Sequence, residues 1–187
     1  MSAAPLLNIP NVLTLLRIVL IPVLVALAYT PFAWRYWAAA GVFLVAAITD
    51  WFDGYLARTL NQTSAFGRFL DPVADKLMVA AALVLLVQWH HANPLMVVSA
   101  IIIVSREITI SALREWMAEI GKRASVAVSY IGKLKTTMQM TAITVLLVHE
   151  PALDHWLGFP LLVVAAALTI WSMLVYLRAA WPDLRGA

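Results

Sequence analysis

The chain has 187 residues, 63% hydrophobic and 12% charged, with 13 Lys and Arg against 10 Asp and Glu, no cysteine and a mean hydropathy of +0.87. Soluble domains are about 45–50% apolar and about 25% charged, so this composition excludes a soluble globule and marks an integral membrane protein. The missing cysteines exclude disulfides and thiolate metal sites.

The start, MSAAPLLNIPNVLTLLRIVL, lacks a basic leader and a small-residue cleavage site, and Arg17 interrupts its apolar run. It is therefore expected to be retained. Pro5 and Pro10 predict a short N-terminal interfacial segment, with Pro10 tolerated in the first turn of a helix. About 20 apolar residues cross a bilayer, and the runs at 12–31, 36–57, 72–90, 94–113, 134–150 and 158–180 are the candidate spans. They are continuous rather than alternating at period two, so they predict helices and not barrel strands. The expected fold is all-α, a polytopic membrane protein with six transmembrane helices, in one domain over 1–187.

Six spans put both termini on the side of the 2–3 and 4–5 loops. That side collects Arg17, Arg58, Arg68, Lys76, Arg106, Arg114, Lys122, Arg123, Lys133, Lys135, Arg178 and Arg185, with Arg35 near the opposite face. The positive-inside rule then predicts cytoplasmic termini. Trp34, Trp37, Trp89 and Trp156 fall near outer ends and Trp51, Trp116 and Trp181 near inner ends, as headgroup-level indoles should, while mid-span Trp171 is expected to serve packing. Lys122 and Arg123 read as contacts to anionic headgroups. His90, His91, His149 and His155 read as outer interfacial residues, and Met138 and Met140 as packing.

Between the second and third spans lies DWFDGYLARTLNQTSAFGRFLDPVADK. Asp50 and Asp53 are three apart, Asp71 and Asp75 four apart, so each pair shares a helix face. A short loop lets both pairs converge, where four unpaired carboxylates would repel and lose solvation. One or two hard divalent cations would remove both penalties. The bland alternative pairs the acids with Arg58, Arg68 and Lys76. Gly54 and Gly67 cost a helix about 0.5–1 kcal/mol each, which favours close approach of a ligand or backbone. Pro72 suggests that Asp71 stands at or just before a helix start, a place suited to phosphate. A divalent ion with an arginine at headgroup depth suggests phosphoryl chemistry on a lipid.

The stretch has the form D-x2-D-G-x2-A-R-x8-G-x3-D-x3-D, and at every defined position it resembles the signature of the CDP-alcohol phosphatidyltransferase family. NIPNVLTLLRI, TDWFDGYLAR, FGRFLDPVADK, SREITISALREWMAEIGK and GKLKTTMQM are similar to bacterial members of that family. The resemblance implies transfer of a phosphatidyl group from CDP-diacylglycerol to sn-glycerol 3-phosphate, releasing CMP, for anionic phospholipid synthesis. It implies a homodimer in the bacterial inner membrane with a cytoplasmic active site and no nucleic-acid partner. Asp50, Asp53, Asp71 and Asp75 would hold Mg2+ or Mn2+, as a pair of ions, with Asp75 also the general base. An ordinary Asp, with a pKa of about 3.9, is a weak base at neutral pH, so positioning and metal must supply most of the activation. Gly54, Ala57, Arg58 and Gly67 would line the CDP site, helped by Asn11 and Thr14.

A phosphorylated acceptor needs cations. Arg106 and Arg114 on the fourth span, with Lys133 and Lys135 on the fifth, are the candidates. Arg106 lies inside IIIVSREITIS, where an arginine must be solvated or paired. Its bland alternative is a structural pair with Glu107, although adjacent helical residues diverge by about 100°. Three rivals remain: another acceptor (serine, inositol phosphate or phosphatidylglycerol), a divalent-cation transporter, and a structural subunit with a salt-bridged loop. Transport sites tend to lie near the bilayer midplane, whereas these acids stand at helix ends.

Overall fold

The computed structural model describes the backbone of residues 9–59, 65–121 and 130–185, and their side chains except at 9, 10, 51, 53–59, 65, 68, 130, 131, 133, 183 and 184. Among the described residues all regular structure is helical. The order is α1 (Ile9–Ala28), α2 (Arg35–Thr59), α3 (Ala65–Trp89), α4 (Pro94–Glu119), α5 (Tyr130–Val148), the short α6 (Pro151–Leu153), a π-helical turn (Asp154–Gly158) and α7 (Phe159–Arg185). The proposed interfacial segment before α1, and Lys122 and Arg123, lie outside the described residues.

Three stretches are long and apolar enough to cross a membrane: Asn11–Ala28, Pro94–Glu119 and Pro151–Pro182, while Leu134–Val148 is a shorter apolar helix. Helices α2 and α3 have 25 residues each. Their uncharged runs, 36–49 and 77–89, fall short of the roughly 20 apolar residues of a full span. The acids occupy the missing turns.

Helix ends follow local chemistry. Asn93 caps α4, its side chain accepting from the Leu95 amide at 3.0 Å, and Pro94 takes the first turn. Beyond α4, Gly121 adopts φ +76°, the left-handed conformation that ends many helices. One expectation is corrected: Pro72 lies inside α3, which already begins at Ala65, so Asp71 is not at a helix start. Membrane helices tolerate an internal proline because neighbouring groups re-satisfy the freed carbonyl.

The chain divides into two compact units, Met1–Gln88 with Thr144–Glu150, and Trp89–Ile143 with Pro151–Ala187. In the first, α1 packs along α2, whose buried face carries Ala39, Ala40, Phe43 and Ala46. Small residues let the backbones approach where lipid offers no hydrophobic drive to associate. In the second, α7 packs along α4, burying Leu162, Ala165, Ala166, Thr169, Ser172, Tyr176 and Ala180 at helical spacing. Large apolar side chains such as Val19, Val84, Ile101 and Ile108 stand exposed, as lipid-facing residues do. Trp34, Trp37, Trp156 and Trp181 are exposed too, in keeping with headgroup anchoring. Trp171, expected to serve packing, is 59% exposed on this chain: the small residues of α7 take the interior and leave the indole outside.

Candidate active site

In the first unit the acids gather on Arg17. Its guanidinium is buried, hydrogen-bonds to Asp50 of α2 and lies 3.7 Å from Asp71 of α3, while both aspartate side chains remain 42% exposed. Thr14, one turn earlier on the same face of α1, is fully buried and donates to Asp71 Oδ1. Asn11 is buried one further turn back. Thus α1 supplies a polar column, Asn11, Thr14 and Arg17, to which the two aspartate-bearing helices attach. The expected convergence of Asp50 and Asp71 is present. Asp75 follows one turn later in α3, half-buried, and Gly67 is buried near the start of that helix. The side chains of Asp53, Ala57 and Arg58, and the surroundings of Gly54, lie outside the described residues.

The charge balance favours a further cation. Among the described residues two carboxylates share one guanidinium, and both keep access to water. Hard oxygen donors from two helices, partly exposed, fit a hard divalent cation better than a softer ion. Sequence reasoning counted Arg17 among the cytoplasmic-side charges and as a break in the first apolar run. Its signal was a lone arginine in an apolar helix, which must find a partner.

The second unit holds the basic candidates. Arg106 is buried on α4; it donates through Nη1 to Glu107 Oε1 at 3.0 Å and through Nη2 to Ser172 of α7 at 3.3 Å. Lys135 of α5, also buried, donates to the same Glu107 oxygen at 2.5 Å. Arg114 stands at an exposed position two turns along α4 and donates to the buried Tyr176 hydroxyl at 2.7 Å, with the Tyr176 ring 5.2 Å away. The same ring lies 5.9 Å from the Arg106 guanidinium. The pairing of Arg106 with its sequence neighbour therefore forms, despite the 100° between adjacent residues, because a long arginine can fold back to a carboxylate that also serves Lys135. Two cations, Arg106 and Lys135, meet one carboxylate here, and the buried Arg106 Nε has no hydrogen-bond partner among the described residues. That excess suits an anion. The Lys133 side chain lies outside the described residues. Glu107, Ser172 and Tyr176 were not singled out from sequence, since only tertiary packing brings α7 to α4.

Away from these clusters, His90 pairs with the buried Asp154 of the π-helical turn at 3.1 Å, and packs edge-on to Phe159. His90, expected at the interface, is partly buried here and meets the buried carboxylate of that turn.

The family model for CDP-alcohol phosphatidyltransferase matches residues 7–171. A relative from Pseudomonas fluorescens, named CDP-diacylglycerol–glycerol-3-phosphate 3-phosphatidyltransferase, is 55% identical over 181 residues, 95% of this chain and 92% of that one. Relatives of the same name from Salmonella choleraesuis (strain SC-B67) and Shigella flexneri serotype 5b (strain 8401) are each 56% identical over 177 residues, covering 95% of this chain and 97% of theirs.

Proposed function

The chain belongs to the CDP-alcohol phosphatidyltransferase family, and from that premise we propose that it transfers the phosphatidyl group of CDP-diacylglycerol to sn-glycerol 3-phosphate, giving phosphatidylglycerophosphate and CMP. The observation that carries the reading is the gathering of Asp50 and Asp71 on α1, on the motif shared with the family. The high identity to relatives named for this reaction supports the choice of acceptor.

In this reading Asp50, Asp53, Asp71 and Asp75 hold two Mg2+ or Mn2+ ions. Bound there, the ions would neutralise phosphate charge and ease departure of CMP. Arg17 and Thr14 orient Asp50 and Asp71, so that the carboxylates are pre-arranged before substrate arrives. Gly54, Ala57, Arg58 and Gly67 line the nucleotide site, with Asn11 and Thr14 in support. Asp75 takes the proton of the attacking acceptor hydroxyl. Arg106, Arg114, Lys133 and Lys135 bind the acceptor's phosphate, which suits the cations gathered there and the buried Arg106 Nε, which has no partner among the described residues.

The same reading makes 1–187 one functional domain, supported by a family match that runs through both units. It makes α1–α5 and the α6–α7 stretch six spans of a bacterial inner-membrane protein, with termini and site in the cytoplasm on the basic-residue asymmetry. A homodimer follows from the resemblance alone. The test is direct. Purified protein with Mg2+, CDP-diacylglycerol and labelled glycerol 3-phosphate should yield lipid-phase label and CMP in equal amounts. Folded protein that transfers label only to another acceptor, or to none, overturns the reading.

A further inference from the structure

We propose that the apolar groove between α1 and α3 holds one acyl chain of the donor lipid during transfer. The inference rests on the reading of the chain as a CDP-diacylglycerol-dependent transferase and deepens it. The groove has a volume of about 380 Å³ and is lined by Ile21 and Val25 of α1 and Leu77, Ala80, Ala81 and Val84 of α3. Arg17, Ile21, Val25 and Tyr29 recur at four-residue intervals. One face of α1 therefore carries the guanidinium that meets Asp50 and Asp71 and, from the next turn on, the groove wall. On α3 the groove begins at Leu77, six residues past Asp71, about 9 Å along the axis at 1.5 Å per residue.

The groove is therefore continuous in direction with the acid cluster and follows it towards the membrane interior. From Ile21 to Tyr29 it runs about 12 Å, close to the roughly 15 Å of one leaflet in a hydrocarbon core of about 30 Å. At its far end the Tyr29 hydroxyl donates to Gln88 at 2.8 Å and ties the two helices together. Ala80 and Ala81 are small where a larger side chain would fill the space. The groove is not adhesive, since lipid tails pack with one another as well as with apolar helices. Tethering selects the occupant. A donor held by its diphosphate at the acid cluster keeps its glycerol beside the groove's mouth, which raises the local concentration of its own chains above that of untethered lipid.

The experiment compares CDP-dioleoylglycerol with CDP-dihexanoylglycerol, whose short chains reach only the mouth. Ala80→Phe and Ala81→Phe should each lower kcat/KM for the dioleoyl donor by about tenfold or more, as overpacking of an occupied space does. The dihexanoyl donor and the KM for glycerol 3-phosphate should be unchanged. Equal loss with both donors, or no loss with either, overturns the proposal. A dioleoyl donor carrying a photoreactive group on one chain gives a second readout on unsubstituted protein. Labelling within 21–29 or 77–85 that unlabelled donor suppresses supports the groove. Labelling elsewhere, equal labelling by a photoreactive phosphatidylcholine, or crosslinks there to a second copy of the chain overturns it. Unsubstituted protein that transfers from neither donor overturns the function itself, a result distinct from selective failure of the groove variants.

Discussion

At the scale of residues, Arg17 illustrates how a membrane interior treats charge. A guanidinium buried to 1% exposure survives because Asp50 and Asp71 face it from two other helices. Arg17→Met should lower stability in detergent by about 1–3 kcal/mol, below the 3–5 kcal/mol typical of a broken buried pair, because the aspartates left behind are partly solvated. A denaturant or thermal titration measures it, and an unchanged midpoint would show the pairing to be energetically idle. Asp71→Asn and Asp75→Asn should each cut turnover by at least about a hundredfold while gel filtration and helical content stay normal. Retained turnover in either variant removes that carboxylate from the chemistry. The motif spacing made these acids legible in the sequence. Arg17 was legible only as a charge in need of a partner, because its partners are far along the chain.

At the scale of elements, α4 and α7 form the scaffold of the basic cluster. Ser172 and Tyr176 on α7 hold Arg106 and Arg114 of α4 in place, and Glu107 joins α4 to Lys135 of α5. Arg106→Ala should raise the KM for glycerol 3-phosphate by about tenfold or more, the worth of a charge-assisted hydrogen bond, with the donor KM unchanged. Steady-state kinetics in both substrates decides this, and an unaltered acceptor KM would exclude Arg106 from the site. The α4 start is held by the Asn93 cap, so Asn93→Ala should cost about 1 kcal/mol of stability with activity preserved. A thermal-shift measurement reads that loss. Most helix positions were legible from apolar runs, within several residues. The start of α3 was not, since Pro72 reads locally as a boundary and only packing against neighbours lets a helix run through it.

At the scale of the whole molecule, composition and long apolar helices make this a membrane protein, and its two charged clusters stand on different elements. Asp50 and Asp71 of α2 and α3 meet Arg17 of α1, whereas Arg106 of α4 and Lys135 of α5 meet Glu107 of α4, and Arg106 and Arg114 reach Ser172 and Tyr176 of α7. Chelation of divalent ions should abolish transfer, and adding back Mg2+ or Mn2+ should restore it while Ca2+, larger and less demanding of octahedral geometry, restores little. An activity titration after chelation tests this, and full activity in excess chelator would refute a metal-dependent reaction.

The amino-acid sequence by itself determined the solvent, the helical class and a cluster of acids suited to a metal, and the donor came with the family resemblance of the motif. Hydropathy, backbone hydrogen-bonding demand and the spacing of four aspartates are local properties that need no tertiary contact to be read. Tertiary structure alone decided which cation gathers Asp50 and Asp71, and how Glu107, Ser172 and Tyr176 hold the basic side chains. It also opened a groove between α1 and α3. Those features depend on which faces of distant helices meet, and in lipid that choice is made by shape and pairing rather than by hydrophobicity, which every helix here shares.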